Sequence, residues 1–149
     1  MNRSIKRILK FNMLFAALVF GNVAQADGVG TAGVWEVHIT PDGAPGPVAV
    51  NRAHFDQDGT LTNIDPQFGT GLGTWEHTPR RGYASEIVHY FNAGDLVNPI
   101  PGKVVVKGAG QHIDRNSAEG EFETTIYVGG EIYQELSGTI YSERVGAPD

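Results

Sequence analysis

The sequence contains no cysteine, so its fold is stabilised without disulfides. It is also poor in cations, with 11 Lys and Arg against 17 Asp and Glu over 149 residues. An acidic surface repels phosphate backbones and anionic lipid headgroups, which argues against nucleic acid as a partner. The Gly-x-Ser-x-Gly elbow of hydrolases, a nucleophilic cysteine and a phosphate-binding glycine loop before a helix are all missing. Any catalysis would therefore proceed without a covalent nucleophile of these types and without a nucleotide.

The first 26 residues have the three parts of an export signal. Four basic residues precede an apolar run over residues 13–20, and Ala24-Gln25-Ala26 supplies the small residues of a cleavage site. The apolar run is shorter than the ~20 residues that a spanning helix needs. The pattern predicts a signal peptide over residues 1–26, cleavage before Asp27, a secreted or periplasmic protein, and no stable membrane anchor after cleavage. Because the leader holds four cations and no acid, the rest of the chain has a formal charge of −10.

The remaining chain has the length of one domain. Residues 27–32 are small and glycine-rich and predict a flexible arm, residues 33–144 predict a single β domain, and residues 145–149 predict a frayed tail. Eight extended segments are separated by turn residues such as Asp56-Gln57-Asp58-Gly59 and Gly129-Gly130, and no segment after residue 26 has a helical period. Nothing in the pattern indicates an oligomeric state.

Short connections favour antiparallel pairing of neighbouring strands, in up-and-down order. A sheet of eight strands with one apolar face must close or pack on a second layer, and the sequence offers no second layer. We therefore expect an all-β fold, an eight-stranded antiparallel up-and-down barrel, with a two-sheet sandwich as the structural alternative. Alternation places Trp35, Val37 and Ile39 on one face of the first strand. In the last strand it places Ile132, Leu136, Gly138 and Ile140 on one face.

Four short motifs carry a resemblance to known barrels. Gly33-Val34-Trp35 resembles the Gly-x-Trp signature of lipocalins and other calycins. Two further stretches, Phe55 to Thr60 and Gly73-Thr74-Trp75, together with the closing Ser137-Gly138-Thr139-Ile140, resemble small exported bacterial barrels that are similar to calycins and to the allene oxide cyclase barrel. The chain departs from lipocalins in its short length, its lack of a disulfide and its lack of a C-terminal helix. The resemblance implies either carriage of a small apolar ligand or isomerase and cyclase chemistry.

An eight-stranded barrel has room inside for packed side chains or for one small ligand. If the face with the two tryptophans is the interior, an apolar or aromatic molecule is the fitting ligand. The predicted ligand-binding residues are Trp35, Val37, Phe55, Trp75, Tyr83 and Phe122. The alternative is a solid core without a cavity, which would make the protein a non-catalytic structural module.

Acid–base chemistry is the second functional hypothesis. His77 lies two residues after Trp75, and His89 lies on the same face of its strand as Ile87, so both are candidates for a general acid or base inside the barrel. Glu86 and Tyr90 form a same-face pair on the opposite side of that strand. Strand alternation alone leaves open which pair points inward. A cofactor-independent isomerase, cyclase or dehydratase would suit such a pair.

No metal or cofactor is predicted. The five histidines, namely His38, His54, His77, His89 and His112, lie on five different strands and form no i, i+2 pair. Asp56-x-Asp58-Gly59 lacks the later carboxylates of a calcium loop and is better interpreted as a hairpin turn. The connection Asn92–Gly102, with apolar Leu96, Val97 and Ile100, is either a lid over the barrel mouth or an ordinary surface crossover.

Overall fold

The computed structural model describes residues 30–92 and 100–146, and both described segments are built from β-strands and turns. The predicted signal peptide and most of the Asn92–Gly102 connection, including Leu96 and Val97, lie outside the described residues. Eight strands run in the predicted order: β1 Gly33–Pro41, β2 Ala49–Phe55, β3 Thr60–Asp65, β4 Gly69–Thr78, β5 Gly82–Phe91, β6 Gly102–His112, β7 Ser117–Val128 and β8 Glu131–Arg144.

The sheet closes on itself. Each strand pairs antiparallel with its neighbours along the chain, and β1 also pairs with β8, so that Trp35 lies opposite Ala53 on one side and Arg144 on the other. The prediction of an eight-stranded up-and-down barrel is confirmed, and the two-sheet sandwich is excluded. Closure leaves no strand edge unpaired, which removes the usual risk of edge-to-edge association.

The turn between β2 and β3 shows why the chain reverses where it does. The amide of Asp56 donates to the carbonyl of Thr60 at 2.9 Å, and the Asp58 carboxylate accepts the Thr60 amide at 2.9 Å. Gly59 has a φ of 89°, a backbone conformation that residues other than glycine rarely adopt. The short acidic stretch therefore forms a hairpin turn, as the sequence predicts.

Alternation assigns the faces of the strands correctly along most of the barrel. On β7, Phe122 and Thr124 are buried while Glu119 and Glu121 are exposed. The prediction that Ile132 shares one face of β8 with Leu136, Gly138 and Ile140 is wrong. A bulge at Tyr133 shifts the register, so that Gln134 pairs with Ile126 whereas Ile132 pairs with Tyr127. The extra residue reverses the alternation, and Ile132 lies exposed on the outer face while Leu136, Gly138 and Ile140 follow the inner one.

One end of the barrel is filled with large side chains. Phe55 packs edge-on against Trp75 and Tyr83, with ring centroids 5.6 and 5.7 Å apart. Trp35 and Leu61 are the largest fully buried members of the same cluster. We call this the closed end. The indole rings of Trp35 and Trp75 occupy the interior at this end of the barrel and close it.

The ends of the described chain cover the outside of the closed end. The Arg144 guanidinium lies over the Trp35 ring at 4.4 Å from its centroid and donates to the carbonyls of Gly30, Ala32 and Arg115. The structure describes the predicted flexible arm from Gly30 onward. This part of the arm packs against the barrel, as the burial of Thr31 shows. The carbonyl of Thr31 accepts a hydrogen bond from the Trp35 indole at 2.7 Å.

Candidate functional site

The other end of the barrel contains a cavity of about 630 Å³, which we call the open end. It lies among strand residues on the inner face and three turn residues, Pro66, Gln67 and Phe68, that connect β3 to β4. Most of its wall is apolar. Representative lining residues are Val37, Ile39, Phe55, Ile87, Val106 and Phe122. The volume falls within the range of roughly 300–1,000 Å³ that is typical of small-molecule sites.

Four residues of the closed-end cluster also line the cavity, namely Ala53, Phe55, Tyr83 and Ile87, and Phe55 and Tyr83 are the aromatic ones. Burial raises the pKa of Tyr83 to about 12, and a hydrogen bond with the Ser142 side chain opposes that shift only in part. The phenol is therefore neutral at physiological pH and contributes an aromatic surface. It does not supply a charge to the cavity.

A polar group interrupts the apolar wall near the mouth. Asn51, which is 6% exposed, donates from Nδ2 to Oδ2 of Asp65 at 2.9 Å. Oδ1 of Asp65 accepts the backbone amides of Gln67 at 2.7 Å and Phe68 at 2.9 Å. The carboxylate thus caps the turn after β3 and fixes the Asn51 amide at the same time. Asn51 and Asp65 both line the cavity.

A second polar pair lies next to the first. His89, which is 1% exposed, approaches Asn63 with 3.3 Å between Nε2 and Nδ2. Its ring occupies the space above Gly71, where a Cβ would lie 2.5 Å from the imidazole, so only glycine fits there. Burial lowers the pKa of His89, although the Asp65 carboxylate and a hydrogen bond with the Gly69 backbone raise it in part. The imidazole is therefore neutral at pH 7.

The four predicted acid–base residues do not converge. His89 points inward, but Glu86 and Tyr90 lie on the outer face of β5, where Glu86 is 3.7 Å from Lys107 and Tyr90 is 75% exposed. His77 is exposed at the closed end, with its ring 4.8 Å from that of Trp75. Since general acid–base catalysis needs its groups within reach of one substrate, these four residues do not form one interior site.

The six predicted ligand-binding residues divide between the two ends. Val37, Phe55, Tyr83 and Phe122 line the cavity. Trp35 and Trp75 point inward as expected, but they lie in the closed-end cluster and are not part of the lining. The tryptophans therefore support the cavity from below.

The sequence pattern predicts His89 but not Asn51, Asn63 or Asp65, the other polar residues of the site. Asn51 and Asn63 occupy inward positions on β2 and β3, flanked two residues away by Ala53 and Leu61. A polar side chain in the inward phase of an otherwise apolar face is the signal that could have identified them, because a buried amide needs a partner. Asp65 ends β3 in the same phase.

Residues 30–92 and 100–146 contain no group of three or more His, Asp or Glu side chains placed to hold a metal ion. In the same residues there is no helix long and apolar enough to cross a membrane.

No family model matches the sequence, and no curated protein is significantly similar to it. The closed eight-stranded barrel is consistent with a calycin-like fold. A relationship to lipocalins or to allene oxide cyclase stays a prediction from the short motifs.

Proposed function

We propose that this protein is an exported barrel that binds a small hydrophobic or aromatic molecule in its interior. One observation supports the proposal above the others: the inner face is filled at one end and leaves a cavity of about 630 Å³ at the other. A filled structural module would have no such space. The apolar wall favours transfer of an apolar ligand out of water, at roughly 25 cal/mol for each Å² of apolar surface buried.

The binding site is tested by filling it. Val106 lines the cavity, whereas its neighbour Val105 lies on the outer face of β6. We expect Val106→Phe to abolish or strongly weaken binding of an uncharged environment-sensitive dye such as N-phenylnaphthylamine. The matched variant Val105→Phe should bind it like the unchanged protein, and urea melts would establish that both variants fold.

Leu136→Phe provides a second filling variant, because Leu136 lines the cavity near the mouth and has room to enlarge. Undiminished dye binding in both Val106→Phe and Leu136→Phe would place the dye elsewhere and would refute the proposed site. If both variants lose dye binding, native mass spectrometry of protein taken from its host would identify the natural ligand as a released apolar mass.

Export is tested separately. The leader predicts that the mature protein begins at Asp27, which intact-mass measurement of protein from the exported fraction would detect. An intracellular protein that retains Met1 would refute export while leaving the binding proposal intact.

A further inference from the structure

The described part of the cavity lining contains an acidic side chain but no basic one. Among the described residues that line the cavity, Asp65 is the one acidic residue, and no Lys or Arg is present. Tyr83 is neutral because burial raises its pKa to about 12. Whatever apolar ligand the cavity holds, the charged group that the described lining offers to its polar head is therefore a carboxylate.

The position of Asp65 is fixed by neutral donors. Two backbone amides and the Asn51 side chain donate to its carboxylate, and no ion pair with Asp65 forms within the described residues. A carboxylate can accept about four hydrogen bonds, so three partners leave capacity for one more. The side chain is half-buried at the mouth, where it reaches both the cavity and solvent.

The electrostatic surroundings reinforce this charge. Asp42, in the turn after β1, and Glu131, the first residue of β8, are exposed at the same end, and the whole chain has a formal charge of −6. Lys103, at the start of β6, points outward and lies 5.1 Å from the Tyr127 ring centre. Such a field attracts cations towards the mouth and repels anions from it.

We propose, on the basis of the binding function above, that the cavity selects apolar or aromatic molecules with a protonated amine and that Asp65 binds the amine. An ammonium group would donate a charge-assisted hydrogen bond to the carboxylate, which is shorter and stronger than a neutral one. A ligand carboxylate would bring a second negative charge into an apolar cavity without a cation to pair it. An alcohol would form only a neutral-donor hydrogen bond.

The test uses three ligands with one aromatic body: phenylbutylamine, phenylbutanol and phenylbutanoate. Their affinities are measured by displacement of the uncharged dye at low ionic strength and neutral pH. We expect the amine to bind tightest, the alcohol next and the carboxylate weakest, with about tenfold or more between the first and last because the charge-assisted bond is roughly twice as strong as a neutral one. Equal affinities, or tighter binding of the carboxylate, would overturn the proposal.

Asp65→Asn removes the charge and keeps an oxygen that can accept the two turn amides. This variant should still bind the dye, while the preference for the amine over the carboxylate falls to within about threefold. Asp42→Asn is the matched control, since it removes one charge from the same end at an exposed position outside the lining. It should retain the preference.

The results separate the two proposals. If neither the dye nor any of the three ligands binds, the binding function itself fails. If the dye binds and the amine has no advantage, only the charge selectivity fails. If Asp65→Asn does not fold, the three-ligand comparison in the unchanged protein still decides the outcome.

Discussion

The two ends of this barrel are built from the same eight strands and differ in the size of their inward side chains. On β2 the inner face changes from Phe55 at the closed end to Asn51 and Ala49 at the open end. On β5 Ser85 is the small residue beside the cavity, while the larger Ile87, His89 and Phe91 continue the inner face towards the open end. Large rings fill the first region, and the small or amide side chains of β2 together with Ser85 leave space in the second one. Side-chain volume along a single inner face is therefore sufficient to convert a packed core into a cavity.

The same division applies to charge. Arg144 covers the closed end and bonds to three backbone carbonyls, whereas Asp65 lies at the mouth of the open end. The cation at one end bonds to backbone carbonyls over a packed core, and the other end retains a carboxylate that can accept a further bond.

The largest difference is expected from one identical substitution at both ends. Leu61 is 1% exposed within the closed-end cluster, and Leu136 is 38% exposed beside the cavity. Leu61→Ala should lower the free energy of unfolding by about 2–5 kcal/mol, because it creates a void in a packed region. Leu136→Ala should cost about 1 kcal/mol or less, since it enlarges a space that already exists. Urea melts would measure both, and equal losses would show that the two ends are packed alike.

A smaller loss is expected when the cover of the closed end is removed. Arg144→Met retains the length of the side chain but removes the charge over Trp35 and the donors to three carbonyls. We expect a loss of about 1–3 kcal/mol and a red shift of tryptophan emission as water reaches the indole. Arg115→Met is the control, because the carbonyl of Arg115 stays in place while its exposed side chain is changed. It should alter stability by no more than about 0.5 kcal/mol.

The smallest effect concerns pH. His112 is buried against the Thr31 hydroxyl at 2.9 Å, and burial lowers its pKa, with Arg144, Arg81 and His77 lowering it further and Asp114 opposing. The folded-state pKa therefore lies below the ordinary value of about 6.5. Neutral His112 therefore contributes its full share of the free energy of unfolding above about pH 6.5. As the pH falls below that value, the contribution decreases by at most about 1.4 kcal/mol per pH unit.

His112→Gln should flatten the decline in the free energy of unfolding between about pH 6.5 and pH 5. Part of the decline should persist, because burial also lowers the pKa of His89. His54→Gln is the control: the side chain of His54 is 52% exposed, and its replacement should leave the decline unchanged. If His112→Gln and His54→Gln behaved alike, burial of His112 would not be the cause.

The fold could be predicted from the sequence because its signal is repeated. Alternation with period two and regular turn residues predict eight strands, and the described residues form eight, with the predicted turns at Asp56–Gly59 and Gly129-Gly130 between them. Ile132 is the exception. A bulge adds one residue to a strand without a distinctive sequence pattern, since Tyr133 is an ordinary strand residue.

The site was less predictable than the fold. Alternation determines which face a residue occupies, but its height along the barrel axis depends on the tilt and stagger of the strands. Trp35 and Trp75 were correctly placed inside, yet the register places them below the cavity. Glu86 and His89 alternate on one strand, and only the observed pairing shows that His89 is the inward residue. Asp65 acquires its role from a turn and from Asn51 on another strand, which no local pattern records.

Both ends of the described chain, Gly30 and Gly146, lie at the closed end, because Arg144 joins the N-terminal segment to the end of β8. A tether joined to the described chain at Gly30 or Gly146 would therefore leave from the side opposite the cavity mouth. Immobilising the barrel through either of these two points, on a sensor surface or through a fused partner, would keep the mouth directed towards solution. The geometry thus permits attachment and ligand exchange at opposite poles of one small domain.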